Sequence, residues 1–184
     1  MHVIFLHGVP GVGKRTISME LAKELDYPFL NFQYLGALLG PVFGYSSPKF
    51  NELRDNMTTT LIGEAMDLIE DGVISSFTYE PSIHLDQYKA FIEAGQASGG
   101  IGIFVGLTCH EEELKGRVEC LERGNLEKVD DFQLLEDAMS SGTYKIPELP
   151  GPSITINTSG ETPETTVQKI LAMLPNDMER GMMF

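Results

Sequence analysis

The chain has 184 residues, 42% of them hydrophobic, which is enough for one domain with a substantial core and argues against a second full domain. Against 27 acidic residues stand 13 basic ones, a formal charge of -14, which opposes binding to nucleic acid and to anionic lipid. No run approaches the roughly 20 apolar residues of a membrane helix, so a soluble, cytoplasmic protein is expected. Cys109 and Cys120 lack zinc-ligand spacing and read as structural thiols, and no metal ligands are assigned.

Residues 2–6 form a β-rich run that leads into a Gly-rich turn. From Arg15 to Leu25, Ile17, Leu21 and Leu25 recur every four residues and predict a helix. A second strand is expected over Pro28–Phe32, and the Gly, Pro and Ser of Leu35–Pro48 predict an irregular segment. Asn51–Glu70 has helical periodicity, closed by Asp71-Gly72. Val73–Tyr79 reads as strand three, His84–Ala97 as a helix and Gly102–Leu107 as strand four, a continuous apolar run suited to a parallel strand covered on both faces. Helices are expected over Glu111–Glu122 and Asp130–Met139, a strand over Ser153–Asn157, and a last helix over Pro163–Leu174 entered at Thr162.

Alternating strands and helices predict an α/β fold, a three-layer α/β/α arrangement around a five-stranded parallel sheet, with ligands beyond the carboxyl ends of the strands. One domain, 1–175, is expected, and 176–184 forms a Met-rich C-terminal tail.

The chemistry lies in Gly8-Val9-Pro10-Gly11-Val12-Gly13-Lys14, a G-x-x-x-x-G-K phosphate-binding loop between a strand and an amphipathic helix. Its glycines let backbone N–H groups turn around phosphate oxygens, Lys14 reaches the β- and γ-phosphates, and the helix dipole adds positive potential. Arg15 stands where the pattern asks for Ser or Thr, and Thr16 follows one place later. This G-x-P-G-x-G-K-x-T form resembles the adenylate kinases and their relatives, a likeness that implies phosphate contact by Thr16 and magnesium held largely through water.

Phe104-Val105-Gly106-Leu107-Thr108 with its following helix, and Ile154-Thr155-Ile156-Asn157-Thr158-Ser159-Gly160 leading to Thr162-Pro163-Glu164, extend the likeness. In order and spacing the chain resembles the shikimate kinase-like and nucleoside monophosphate kinase-like P-loop kinases, and AAA-type P-loop proteins grouped with them. That resemblance implies ATP with Mg2+ and a small-molecule acceptor. It also implies an acceptor-binding region at 34–70, a lid at 117–150 whose arginines reach the transferring phosphate, where Arg117, Arg123 and Lys128 are the candidates, and an adenine site beside Thr158–Pro163.

Two departures stand against it. Shikimate kinases carry an Asp-x-Asp pattern after strand two, where this chain reads Asn31-Phe32-Gln33, and strand three has Ser75 and Ser76 in place of an interior Asp. Glu80 is then the first carboxylate beyond strand three and the candidate assistant to the acceptor, with Asp86 behind it. Arg54 is either an anion anchor or one half of a surface ion pair with Asp55, and His7 reads as a strand-end residue. The expected function is transfer of the γ-phosphate of ATP to a small metabolite or nucleotide, with Lys14, Arg117 and Arg123 stabilising the transferring group and Glu80 assisting the acceptor. The alternative is a nucleotide-binding or NTPase module without kinase activity.

Overall fold

A computed structural model describes residues 2–45, 47–79, 85–97, 99–120, 132–146, 148–149 and 151–174. Five parallel strands lie in the order β2-β3-β1-β4-β5: β1 His2–His7, β2 Phe29–Leu30, β3 Gly72–Phe77, β4 Gly102–Thr108 and β5 Ser153–Asn157. The three central strands are almost wholly buried, as their unbroken apolar runs require, whereas β5 at the edge alternates exposed and covered positions. Register brings His7 opposite both Phe77 of β3 and Gly106 of β4.

Side chains of β1 alternate between two cores. Ile4 and Leu6 pack with Ile17, Leu21 and Leu25 of α1 (Lys14–Leu25), Leu114 and Val118 of α5 (Glu111–Glu119) and Val167 and Ile170 of α7 (Pro163–Met173). Val3 and Phe5 pack on the other face with Ile62 and Ala65 of α3 (Pro48–Leu68) and Tyr88, Phe91 and Ile92 of α4 (Leu85–Ala97). This gives the expected three-layer arrangement. Helix α6 (Phe132–Ser140) adds Phe132 and Leu135 to the first core.

The expectation of an irregular Leu35–Pro48 is corrected: α2 runs from Gln33 to Phe43 with Pro41 inside it. Its Gly36, Gly40 and Pro41 are poor helix formers, but Leu35 and Leu39, one turn apart, are buried and the helix packs on α3. Gly40 makes the fit possible, since a Cβ there would lie 2.0 Å from the Tyr45 ring. Helix α3 starts three residues earlier than expected, because Ser47 caps it by accepting from the Phe50 N–H and Pro48 opens its first turn. Strand β2 is reduced to two residues, since Asn31 turns the chain by accepting from the Gln33 N–H. Thr162 caps α7 as expected, accepting from Thr165 N–H. Both cysteines are free thiols.

Candidate functional site

The loop after β1 is built by three left-handed glycines. Gly8 has φ 149, and a Cβ there would stand 2.4 Å from the Leu107 carbonyl oxygen, so the chain passes the end of β4 where only glycine fits. Gly11 and Gly13 both have φ 95, and Gly13 is the N-cap of α1. With glycine at the cap and no acid in the first turn, no side chain satisfies or neutralises that helix end, which is the condition for an anion site.

Lys14 is 6% exposed and folds back across the loop, its Nζ donating to the carbonyls of Gly8 at 2.9 Å and Val9 at 2.8 Å. The ammonium is thereby fixed inside the concavity that the glycines shape. Arg15 points to the α2 side, donating to the Tyr34 hydroxyl at 3.0 Å with its guanidinium 5.7 Å from that ring's centroid. Thr16 is exposed one residue further on.

On the other flank, a network joins the loop to the β5–α7 connection. Arg117 donates to the Thr158 carbonyl at 2.8 Å, to Thr158 Oγ1 at 2.9 Å and to Glu113 at 2.6 Å. Thr158 is buried, with Oγ1 3.3 Å from the Val12 carbonyl and 3.1 Å from the Thr108 carbonyl. Glu113 also accepts the Gly160 N–H at 2.7 Å; that bond first, and Arg117 after it, hold its carboxyl below the usual range. Arg117 is therefore anchored beside the Thr158–Pro163 loop. Sequence reasoning named the arginine and the loop that begins at Thr158 but missed Glu113 as the carboxylate that joins them. The Glu113–Arg117 spacing of four on a helix was the available signal.

At the carboxyl ends of β2 and β3, Ser75 and the Asn31 side-chain carbonyl oxygen bond to the backbone. Ser75 donates to the Leu30 carbonyl at 2.7 Å, tying β3 to β2, and Ser76 is buried. Asn31 caps the turn through Oδ1 while its Nδ2 is buried without a hydrogen-bond partner. Arg54 pairs with Asp55, Nη2 to Oδ1 at 3.0 Å, with its side chain only 11% exposed and its guanidinium over the Phe50 ring, so the pair is a covered one. Asp86 lies in the first turn of α4. Glu80, Arg123 and Lys128 lie outside the described residues.

His7 closes β1 immediately before the loop, stacked on Phe77 at 5.8 Å and edge-on to Phe104 at 6.2 Å. Burial first, and the Lys14 charge second, lower its pKa to about 4, so the imidazole is neutral at physiological pH. Among the described residues no group of three or more His, Cys, Asp or Glu could hold a metal, and no helix is long and apolar enough to cross a membrane.

A family model described as an AAA domain matches residues 4–132. No curated protein matches the chain significantly in sequence. Among solved structures, shikimate kinase from Bacteroides thetaiotaomicron superposes with a TM-score of 0.60 at 21% identity, covering 94% of this chain and 97% of that one. A gluconokinase from Sinorhizobium meliloti gives 0.62 at 18% identity, covering 97% and 92%. Shikimate kinase from Acinetobacter baumannii, in complex with shikimate, gives 0.61 at 19% identity, covering 100% and 96%. With its loop, sheet order and matched span, the chain belongs to the AAA domain family and has the P-loop fold that these small-molecule kinases share.

Proposed function

We propose that the protein is an ATP-dependent phosphotransferase of the cytoplasm that moves the γ-phosphate to a small metabolite or nucleotide. The observation that carries this reading is Lys14, buried at the centre of a glycine-built concavity on an uncapped helix N-terminus. In that position the ammonium stabilises charge on the β- and γ-phosphates, and the helix N–H groups hold the remaining oxygens. Arg117, fixed beside Thr158, forms a wall for the base; in this it departs from the transferring-phosphate role expected of it. Arg123 and Glu80 keep their expected roles on the transferring phosphate and the acceptor.

Magnesium would accompany the nucleotide. The described residues give it an exposed Thr16 hydroxyl near the loop and no carboxylate on β2 or β3, a poor donor set for a protein-held ion. The chemistry assigned to the protein is phosphate binding, charge stabilisation and acceptor placement.

Neighbours described as shikimate kinase and gluconokinase support an acceptor that carries a hydroxyl. The test is ADP release with ATP and magnesium across shikimate, gluconate, nucleosides, nucleoside monophosphates and uncharged sugars and polyols. An acceptor-dependent rise supports the kinase. Lys14-dependent ATP binding with no rise across the panel instead favours a nucleotide-binding or NTPase module, a reading supported by Ser75 having spent its hydroxyl on the backbone of β2.

A further inference from the structure

Buried polar atoms are paired in more than about nine cases in ten, so an unpaired one near a ligand site asks for a partner. Two such side chains end strands on either side of β3. His7 has both ring nitrogens buried and unpartnered at the end of β1, and Asn31 has an unpartnered buried Nδ2 just after β2. Both stand at the carboxyl ends of parallel strands, the edge where ligands of such sheets bind.

The imidazole is held in place by its surroundings. Phe77 covers one face, Phe104 meets it edge-on, and Gly106 leaves the space it fills: a Cβ there would come within 3.1 Å of Cε1 and 3.3 Å of Nε2. Phe77 in turn stacks on Tyr88 at 4.7 Å, and Tyr88 feels the charges of Arg54 and Asp55 on α3, so one aromatic cluster joins His7 to the α3 layer. A neutral imidazole offers one donor and one acceptor, and an amide NH2 offers donors only. Hydroxyls satisfy both, whereas a carboxylate cannot donate to the imidazole's bare nitrogen. Of the cations around His7, Lys14 serves the triphosphate in the reading above, and Arg54 faces the Asp55 carboxylate.

We propose that His7 and Asn31 bind the acceptor, and that the acceptor is a small, uncharged polyhydroxylated molecule. Two strand spacings separate their backbones, about 10 Å, which suits a sugar- or cyclitol-sized ring with a hydrogen bond at each end. His7 orients a hydroxyl through a ring nitrogen and leaves the proton in place, since burial beside Lys14 makes it a weak base. This substrate class rests on the phosphotransferase reading, but the two fail separately.

The test uses the full chain labelled with 15N-histidine, with ADP present, titrated with glycerol, ribose and myo-inositol, and with shikimate and gluconate for contrast. His7 resonances are assigned from their loss in His7→Gln. The expected result is a saturable shift of the His7 ring nitrogens with at least one uncharged polyol, at a Kd about tenfold or more below that for either anion. His7→Leu and Asn31→Leu should each raise that Kd about three- to tenfold, the loss of one neutral hydrogen bond, with ATP affinity unchanged within twofold. If no uncharged polyol moves His7, or if the anions move it more, the proposal is overturned. A variant that fails to fold does not rescue it, because the wild-type spectrum decides. A polyol that binds at His7 while neither it nor any other acceptor of the panel stimulates ADP release upholds this site and defeats the kinase reading.

Discussion

Replacing Lys14 by Met keeps the length of the stem and removes only the ammonium. In the free protein that ammonium donates two charge-assisted bonds, to the Gly8 and Val9 carbonyls. Their loss is opposed by relief of a buried charge, so stability should change little, by about 1 kcal/mol in either direction. With triphosphate bound, the loss of even one charge-assisted bond to phosphate costs about 1.5–3 kcal/mol, or roughly ten- to 150-fold in ATP affinity. Isothermal titration of ATP with magnesium into wild type and variant measures it. A second signal follows from geometry: Lys14 is the lesser of two causes lowering the His7 pKa, so in the variant that pKa should rise from about 4 while burial keeps it below 6.5. Histidine NMR titration reads this directly. ATP affinity within twofold of wild type would refute the P-loop argument, and an unmoved His7 would refute the placement of the ammonium beside it.

Gly8→Ala forces a Cβ to within 2.4 Å of the Leu107 oxygen at a φ of 149, so it should cost about 2–3 kcal/mol in urea unfolding and abolish ATP binding; a midpoint unchanged from wild type would show the loop is built otherwise. Arg117→Lys keeps the charge but not the fork that grips Thr158, and should raise the KM for ATP with little change in kcat; a collapse in kcat at unchanged KM would return Arg117 to the transferring phosphate. His7 has a folded pKa depressed to about 4 against 6.5 unfolded, so the unfolded chain binds the extra proton between those values. Stability should therefore be lost as pH falls from about 6.5 to 4, by about 3 kcal/mol at most, and His7→Gln should remove that component; parallel wild-type and variant curves over this window would contradict it.

The central sheet was legible because buried parallel strands are continuous apolar runs: β1, β3 and β4 stand within two residues of expectation, and Ser153–Asn157 agrees at both ends. Helix α2 was not, since Gly36, Gly40 and Pro41 speak locally for a loop and only the packing of Leu35 and Leu39 on α3 speaks for a helix. The phosphate loop was readable because its chemistry is contiguous. The Arg117–Thr158 network joins residues 41 apart, and His7 takes its neutral state from Phe77, Phe104 and Lys14, contacts that exist only once the sheet is assembled.

Charge distribution explains how so acidic a chain could accept a polyanion. Lys23, Lys49, Lys89 and Lys169 each pair with a glutamate, on their own helix or just before it, and these contacts spend their charge locally. Exposed pairs of this kind are worth little to stability but leave little positive potential for a ligand. Arg15 differs: its partner is the Tyr34 phenol, which offsets none of its charge, and it directly follows Lys14 at the start of α1. Two consecutive cations, a helix N-terminus without acids and three left-handed glycines therefore concentrate positive potential at one point of a chain of formal charge -14. Long-range repulsion slows the approach of a triphosphate, but screening confines it to about 8 Å at physiological salt, and inside that distance the loop's own dipoles and ammonium decide binding.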